Sequence, residues 1–204
     1  MTLEFRVISF DDCLYDAASK EALKNWKWWE KDFSRPGNVP RRFCEMPVLK
    51  DYPRFRGFGA DYSVFRGLTA DQTDKLRECL LEQPDPDGLK DLFKMAGKRL
   101  GGKRRISLFS KLLAMWKPER FAMWDTLARN GLKRVHSSTG GHCYNENTIE
   151  NYQIFNDDFF ALYSSRSDKL TAFAELRARE YQQLNTELFS YRILDNVLMK
   201  LGKM

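Results

Sequence analysis

The chain has 204 residues, 43% of them hydrophobic and 30% charged, with a formal net charge of +6 and an isoelectric point near 9.1. That length suffices for one compact domain burying about 70% of the unfolded surface, or for two small lobes sharing an interface, without disulfide or metal staples. No apolar run is long enough to span a membrane and no signal-peptide core follows Met1, so a cytoplasmic protein is expected. The basic excess favours a polyanionic partner wherever it is concentrated.

The opening segment, LEFRVISF, alternates as a short strand does. Asp11 and Asp12 then cap a helix running to about Asp32. On it Leu14, Tyr15, Ala18, Ala22, Trp26 and Trp29 fall near one stripe, the pattern of a face turned to the core. Trp28 lies off that stripe and is the tryptophan available to a ligand. Residues 34–68 interleave Arg35, Arg41, Arg42, Arg54, Arg56 and Arg66 with Phe43, Tyr52, Phe55, Phe58, Tyr62 and Phe65 among turn formers. Aromatic faces stack on bases while guanidinium groups hold phosphates, so this loop suits a DNA grip or a base pocket, with Phe58 a candidate lining residue. The alternative is that the rings tuck into the core and the arginines snorkel outward.

Thr69 with Gln72 forms a capping box that starts a helix to about Glu82, and the PDPDG turn at 84–88 leads into another at 88–98. Gly101 and Gly102 permit a tight turn, and Lys103, Arg104 and Arg105 crowd the mouth of the next helix. Ile106, Leu108, Phe109, Leu112, Leu113 and Trp116 carry that helix to about residue 116, where Pro118 forbids its continuation. Helix 88–98, turn 100–104 and helix 106–116 read as a helix-hairpin-helix. Unpaired amides at the second helix's start, with basic side chains around them, suit a phosphodiester. The stretch 96–135 holds eleven Lys or Arg against two acids, which locates the charge excess. After Pro118 an apolar loop ends at Asp125, which caps a further helix from Thr126 to Lys133.

This order of basic Gly turn, amphipathic helix, Pro, apolar loop, Asp and helix resembles the helix-hairpin-helix DNA glycosylases that carry a Gly/Pro-rich loop followed by Asp. The resemblance covers roughly forty residues. It implies that Gly101, Gly102, Lys103, Arg104 and Arg105 hold DNA backbone and that Asp125 faces the anomeric carbon of a flipped nucleotide. Trp124 becomes a candidate wall of the base pocket. Here the hairpin lacks the usual small apolar residue between its glycines, and Met123 stands where the family has Gly or Pro. Members that also cut the strand place a Lys at the start of the helix after the hairpin. Arg105 lies near that point, and arginine is a poor Schiff-base nucleophile, so the resemblance implies a monofunctional enzyme. Lys103 and Lys111 are the lysines that would supply a lyase step. Lys111 is the second catalytic candidate, its alternative being a plain surface lysine.

The loop 136–145 holds both histidines, His136 and His142, and reads as a polar surface loop. With only Cys143 as a further ligand nearby, no metal is expected. The four cysteines, Cys13, Cys44, Cys79 and Cys143, are scattered, which argues for reduced thiols and against an iron–sulfur cluster. From about Asn147 to Ser164 an unusually aromatic helix should be buried, with Asp157 and Asp158 either exposed charges or second-site carboxylates. Helices Leu170 to Arg177 and Leu184 to Leu198 would pack around it.

The sequence thus predicts an all-α helical bundle, a single domain of two closely packed lobes. One comprises residues 1–86 with the C-terminal helices 147–204, and the other spans 87–146 with the hairpin and the Asp loop. The expected activity is excision of a damaged or modified base from double-stranded DNA by a cofactor-free, monomeric protein, in repair or in defence against phage DNA. The alternatives are a non-catalytic helix-hairpin-helix module that only binds DNA, and a helical protein-interaction domain.

Overall fold

The computed structural model describes residues 10–33, 67–82, 93–94, 97–98, 105–136, 144–181 and 184–204. Among these residues every element is helical: α1 (Asp12–Phe33), α2 (Ala70–Glu82), α3 (Ile106–Trp116), α4 (Thr126–Val135), α5 (Ile149–Ala178) and α6 (Thr186–Lys203). Residues 3–9 of the expected strand and nearly all of the basic-aromatic loop fall outside the described residues. So do the hairpin residues Gly101 to Arg104 and the side chains of Trp28 and Phe58. No described helix is long and apolar enough to cross a membrane.

Local signals set several boundaries. The Thr69 hydroxyl accepts from the Gln72 amide at 3.2 Å while the Gln72 side chain accepts from the Thr69 amide at 3.1 Å, closing the capping box at the head of α2. Pro118 follows α3 directly, and the Lys117 amide closes the last turn on the Leu113 carbonyl. Asp125 caps α4 through a 2.9 Å bond from the Leu127 amide.

One boundary differs from the sequence reading. The expected break at 165–167 does not exist, and α5 runs unbroken for 30 residues, about 45 Å. The serines at the expected break are absorbed by the helix. The hydroxyls of Ser164, Ser165 and Ser167 donate to the carbonyls of Phe160, Leu162 and Ser164, which lets them sit mid-helix without opening it.

The core gathers around α5, whose Tyr152, Phe155, Phe159 and Leu162 are buried. Phe93, in a helical turn within the span expected to be helix 88–98, packs its ring on Phe109 and on Tyr152, each at 5.5 Å. Helix α6 buries Phe189, Ile193, Leu194, Val197 and Leu198. It meets α4 at two glycines: a Cβ on Gly131 would lie 2.0 Å from the Leu198 carbonyl oxygen, and one on Gly202 would lie 2.0 Å from that of Leu127. Helix α1 is moored to the far end of α5 by the buried Arg177, whose guanidinium donates to Asp16 Oδ1 at 2.6 Å and to Ser19 Oγ at 3.1 Å.

Candidate functional site

The segment that delivers Asp125 is irregular and held at several points. Its backbone polar groups are met by side chains of the flanking helices, because a buried loop needs a partner for each. From α5, Asn156 Oδ1 accepts from the Ala122 amide at 2.8 Å, Asn156 Nδ2 donates to the Arg120 carbonyl at 3.1 Å, and the Tyr152 hydroxyl donates to the Ala122 carbonyl at 3.1 Å. From α3, Ser110 Oγ accepts from the Trp124 amide at 2.9 Å. The aromatic helix therefore braces the arm that ends in Asp125.

Asp125 is partly buried. One carboxylate oxygen holds the α4 cap, and the Arg129 guanidinium interacts electrostatically with the carboxylate. Close by, in the middle of α6, stands Asp195, which is 7% exposed and has Oδ1 without a hydrogen-bond partner among the described residues. Burial pushes its carboxyl up to about 6. Arg192 and Lys111 pull against that rise, while the negative charge of Asp125 adds to it. Asp125, Lys111 and Asp195 thus share one electrostatic neighbourhood, drawn from a loop, from α3 and from α6. The Arg192 guanidinium lies over it, with Nη1 at 3.1 Å from Met123 Sδ.

A small cleft of about 10 Å³, room for about one water molecule, opens beside Asp195 and Arg192. Pro118, Phe121, Met123, Tyr191, Arg192 and Asp195 are among its lining residues. Asp195 was missed in the sequence, although a carboxylate set in the apolar run ILDNVL is a readable signal.

Two other expected positions behave differently. Trp124 is a core ring, 2% exposed, with its indole N–H on Asn147 Oδ1 at 3.0 Å and the Arg129 guanidinium over its face at 4.5 Å. As folded, it gives a base no face on which to stack. Arg105 directs its guanidinium to the Gly67 carbonyl at 3.1 Å and offers α3 no side-chain cap. The first amides of α3 are therefore not closed off by that residue.

The ends of the 136–145 loop are a correction. His136 and Tyr144 are buried, not part of a surface loop, and Asp158 is buried as well, whereas Asp157 is exposed. The Tyr144 hydroxyl donates to Asp158 Oδ2 and lies 2.7 Å from His136 Nε2, which is itself 3.1 Å from Asp158 Oδ2. Burial, reinforced by the Asp158 carboxylate, holds the Tyr144 phenol far above its ordinary range. Low dielectric makes such a network costly if half satisfied and rigid if complete. It clamps the two ends of the loop to α5. Periodicity gives no hint of it, since the partners come from separate elements.

No group of three or more His, Cys, Asp or Glu placed to hold a metal ion occurs among the described residues. Comparisons with protein-family models, with curated proteins and with solved structures find no match to this chain.

Proposed function

We propose that this protein excises a damaged or modified base from double-stranded DNA, cleaving the N-glycosidic bond to leave an abasic site. In this reading it works in the cytoplasm as a monomer without a lyase step. It has two closely packed lobes, with a helix-hairpin-helix made of helix 88–98, turn 100–104 and helix 106–116. The observation that carries the reading is the Asp125 arm, a carboxylate on a braced loop at the head of α4, in one electrostatic neighbourhood with Lys111 and Asp195. Positive charge develops on the sugar as the base departs. A fixed anion at that point stabilises the transition state more than the ground state, with no reorganisation at the moment of reaction. The target must leave the stack to be reached, and a damaged or mispaired base costs the least to extrude. The net positive charge and the uncapped start of α3 support a grip on the phosphate backbone.

The test is to incubate the protein with duplexes carrying varied base modifications, treat the products with alkali, and look for strand cleavage at abasic positions. Release from one class of duplex, lost in Asp125→Asn while DNA affinity is kept, is the expected result. Salt-sensitive DNA binding with no base released from any duplex overturns it in favour of a binding module. Absence of salt-sensitive DNA binding points to a protein-interaction domain.

A further inference from the structure

We infer that the outward face of α4 is a grip on duplex DNA, holding the phosphate backbone of a strand that runs along the helix toward Asp125. The inference rests on the DNA partner of the base-excision reading and does not need the excision itself. The surface is fixed in orientation. Gly131 rests on the Leu198 backbone and Gly202 on that of Leu127, so α4 cannot turn about its axis against α6. Ala128, Gly131, Leu132 and Val135 are buried by that packing. Thr126, Asn130 and Arg134 are exposed, with Arg129 and Lys133 partly so. These positions recur three or four residues apart and form one stripe along the helix.

The stripe carries three cations and no acid. Among the described residues Lys133 and Arg134 form no ion pair, whereas Lys20, Lys75, Lys169 and Arg177 each meet a carboxylate. The charge excess is also local. Residues 96–135 hold eleven Lys or Arg against two acids, so out of a net charge of +6 the rest of the chain carries −3. The stretch that follows α4, residues 137–143, contains no acid either. Cations left without carboxylates on one face complement a polyanion, which gains by releasing its own counterions.

Two of the side chains are already held in place. Lys133 donates to Asn145 Oδ1, while Arg129 donates to the Tyr144 carbonyl at 2.6 Å and to Thr126 Oγ1 at 3.2 Å. Those acceptors carry no charge, so the side chains are ordered without being neutralised, and binding costs less entropy. Asp125 acts electrostatically on Arg129, which makes Lys133 and Arg134 the charges on which the grip depends. The dimensions suit one strand of a duplex. From the first to the last of these positions α4 rises about 12 Å, room for about three phosphates at about 3.4 Å of axis per charge on each strand. A strand laid along the stripe reaches the head of α4, where a nucleotide drawn out of the stack meets Asp125.

The experiment measures binding to two unmodified duplexes of unrelated sequence by fluorescence anisotropy, over sodium chloride from about 50 to 200 mM. Four proteins are compared: the wild type, the pair Lys133→Gln with Arg134→Gln, the charge-conserving pair Lys133→Arg with Arg134→Lys, and the pair Lys24→Gln with Arg179→Gln. The last removes the same charge from exposed positions on α1 and at the end of α5. The first glutamine pair should flatten the plot of log affinity against log salt by about two units of slope and weaken binding about tenfold near 150 mM, equally on both sequences. The charge-conserving pair should keep the wild-type slope, and the α1 and α5 pair should stay within about threefold of the wild type. A wild-type slope in the α4 glutamine pair overturns the inference, as does an equal loss in the α1 and α5 pair or in the charge-conserving pair. Tighter binding of phosphatidylglycerol vesicles than of either duplex at the same salt also overturns it, giving the face to a membrane. All of these leave base excision to be judged by its own assay. The expected slopes with no base released from any duplex uphold the grip and remove only the excision. A wild type without salt-sensitive DNA binding removes both.

Discussion

Gly131 rests directly on the backbone of Leu198, so close that a Cβ at position 131 would fall 2.0 Å from the Leu198 carbonyl oxygen. Gly202 repeats the relationship against Leu127, so α4 and α6 run antiparallel and meet backbone to backbone across one turn of each. Asp125 caps α4 and Asp195 rides on α6, which means that this crossing sets the separation of the two carboxyls. Gly131→Ala or Gly202→Ala must push the helices apart, and each should cost about 2–4 kcal/mol in urea unfolding. Because both variants open the same contact, the double substitution should cost less than the sum of the two. A loss within about 0.5 kcal/mol for either single variant would show that the helices can separate freely.

Asp125 has a structural duty besides its proposed chemical one, and two substitutions separate them. Asparagine caps a helix as well as aspartate does, so Asp125→Asn should leave stability nearly unchanged while base release disappears. Asp125→Ala should lose the release and also about 1 kcal/mol of stability, seen as a lower thermal midpoint. Retention of full base release by the Asn variant would falsify the assignment of the carboxylate.

The buried carboxyl of Asp195 makes stability depend on pH with a definite sign. Its folded pKa is raised from 3.8 to about 6, so the unfolded chain ionises first as pH climbs. The favourable contribution is complete below about 3.8 and is lost as pH rises through about 6. A shift of that size corresponds to about 2–3 kcal/mol. The unfolding free energy of the wild type, minus that of Asp195→Asn, should fall by this amount across the same interval. Parallel curves for the two proteins would place Asp195 in a solvated setting.

The clamp on the loop ends gives a further expectation. Tyr144→Phe keeps the packing of the ring against Phe155, whose centroid lies 5.6 Å away, but removes the hydroxyl that Asp158 accepts from. The cost should be about 1–3 kcal/mol. Amide exchange should quicken at His136 and Tyr144, where the loop is pinned. Unchanged exchange with unchanged stability would mean that the other contacts of Asp158 suffice.

Much of the helical framework was legible because its signals are local. Thr69 and Gln72 lie three residues apart, Pro118 stops α3 on its own, and Asp125 needs only the next two residues to cap α4. The arm and its carboxylate could be found for the same reason. The sequence misled where a residue's role depends on distant partners. The helix expected to end near Ser164 continues instead: the hydroxyls of Ser164, Ser165 and Ser167 can compete with backbone bonds in isolation, yet the packed length of α5 outweighs that tendency. Asp158 read as one of two equivalent charges, and only the fold sets it against Tyr144 and His136. Asp195 is readable as a carboxylate in an apolar run, but its electrostatic coupling to Asp125, seventy positions earlier, is not.

Arg177 joins α1 to the end of α5 through Asp16 and Ser19, at sequence separations of 161 and 158 residues. During synthesis α1 emerges early, but the guanidinium that moors it appears only after most of the remaining polypeptide. Until then the Tyr15, Ala18 and Ala22 face has no surface to settle on. Closure of so long a loop is slow and comes late. Among the described helices α1 should be the last to dock, and in the finished protein Arg177→Met should free α1 before the other described helices begin to unfold.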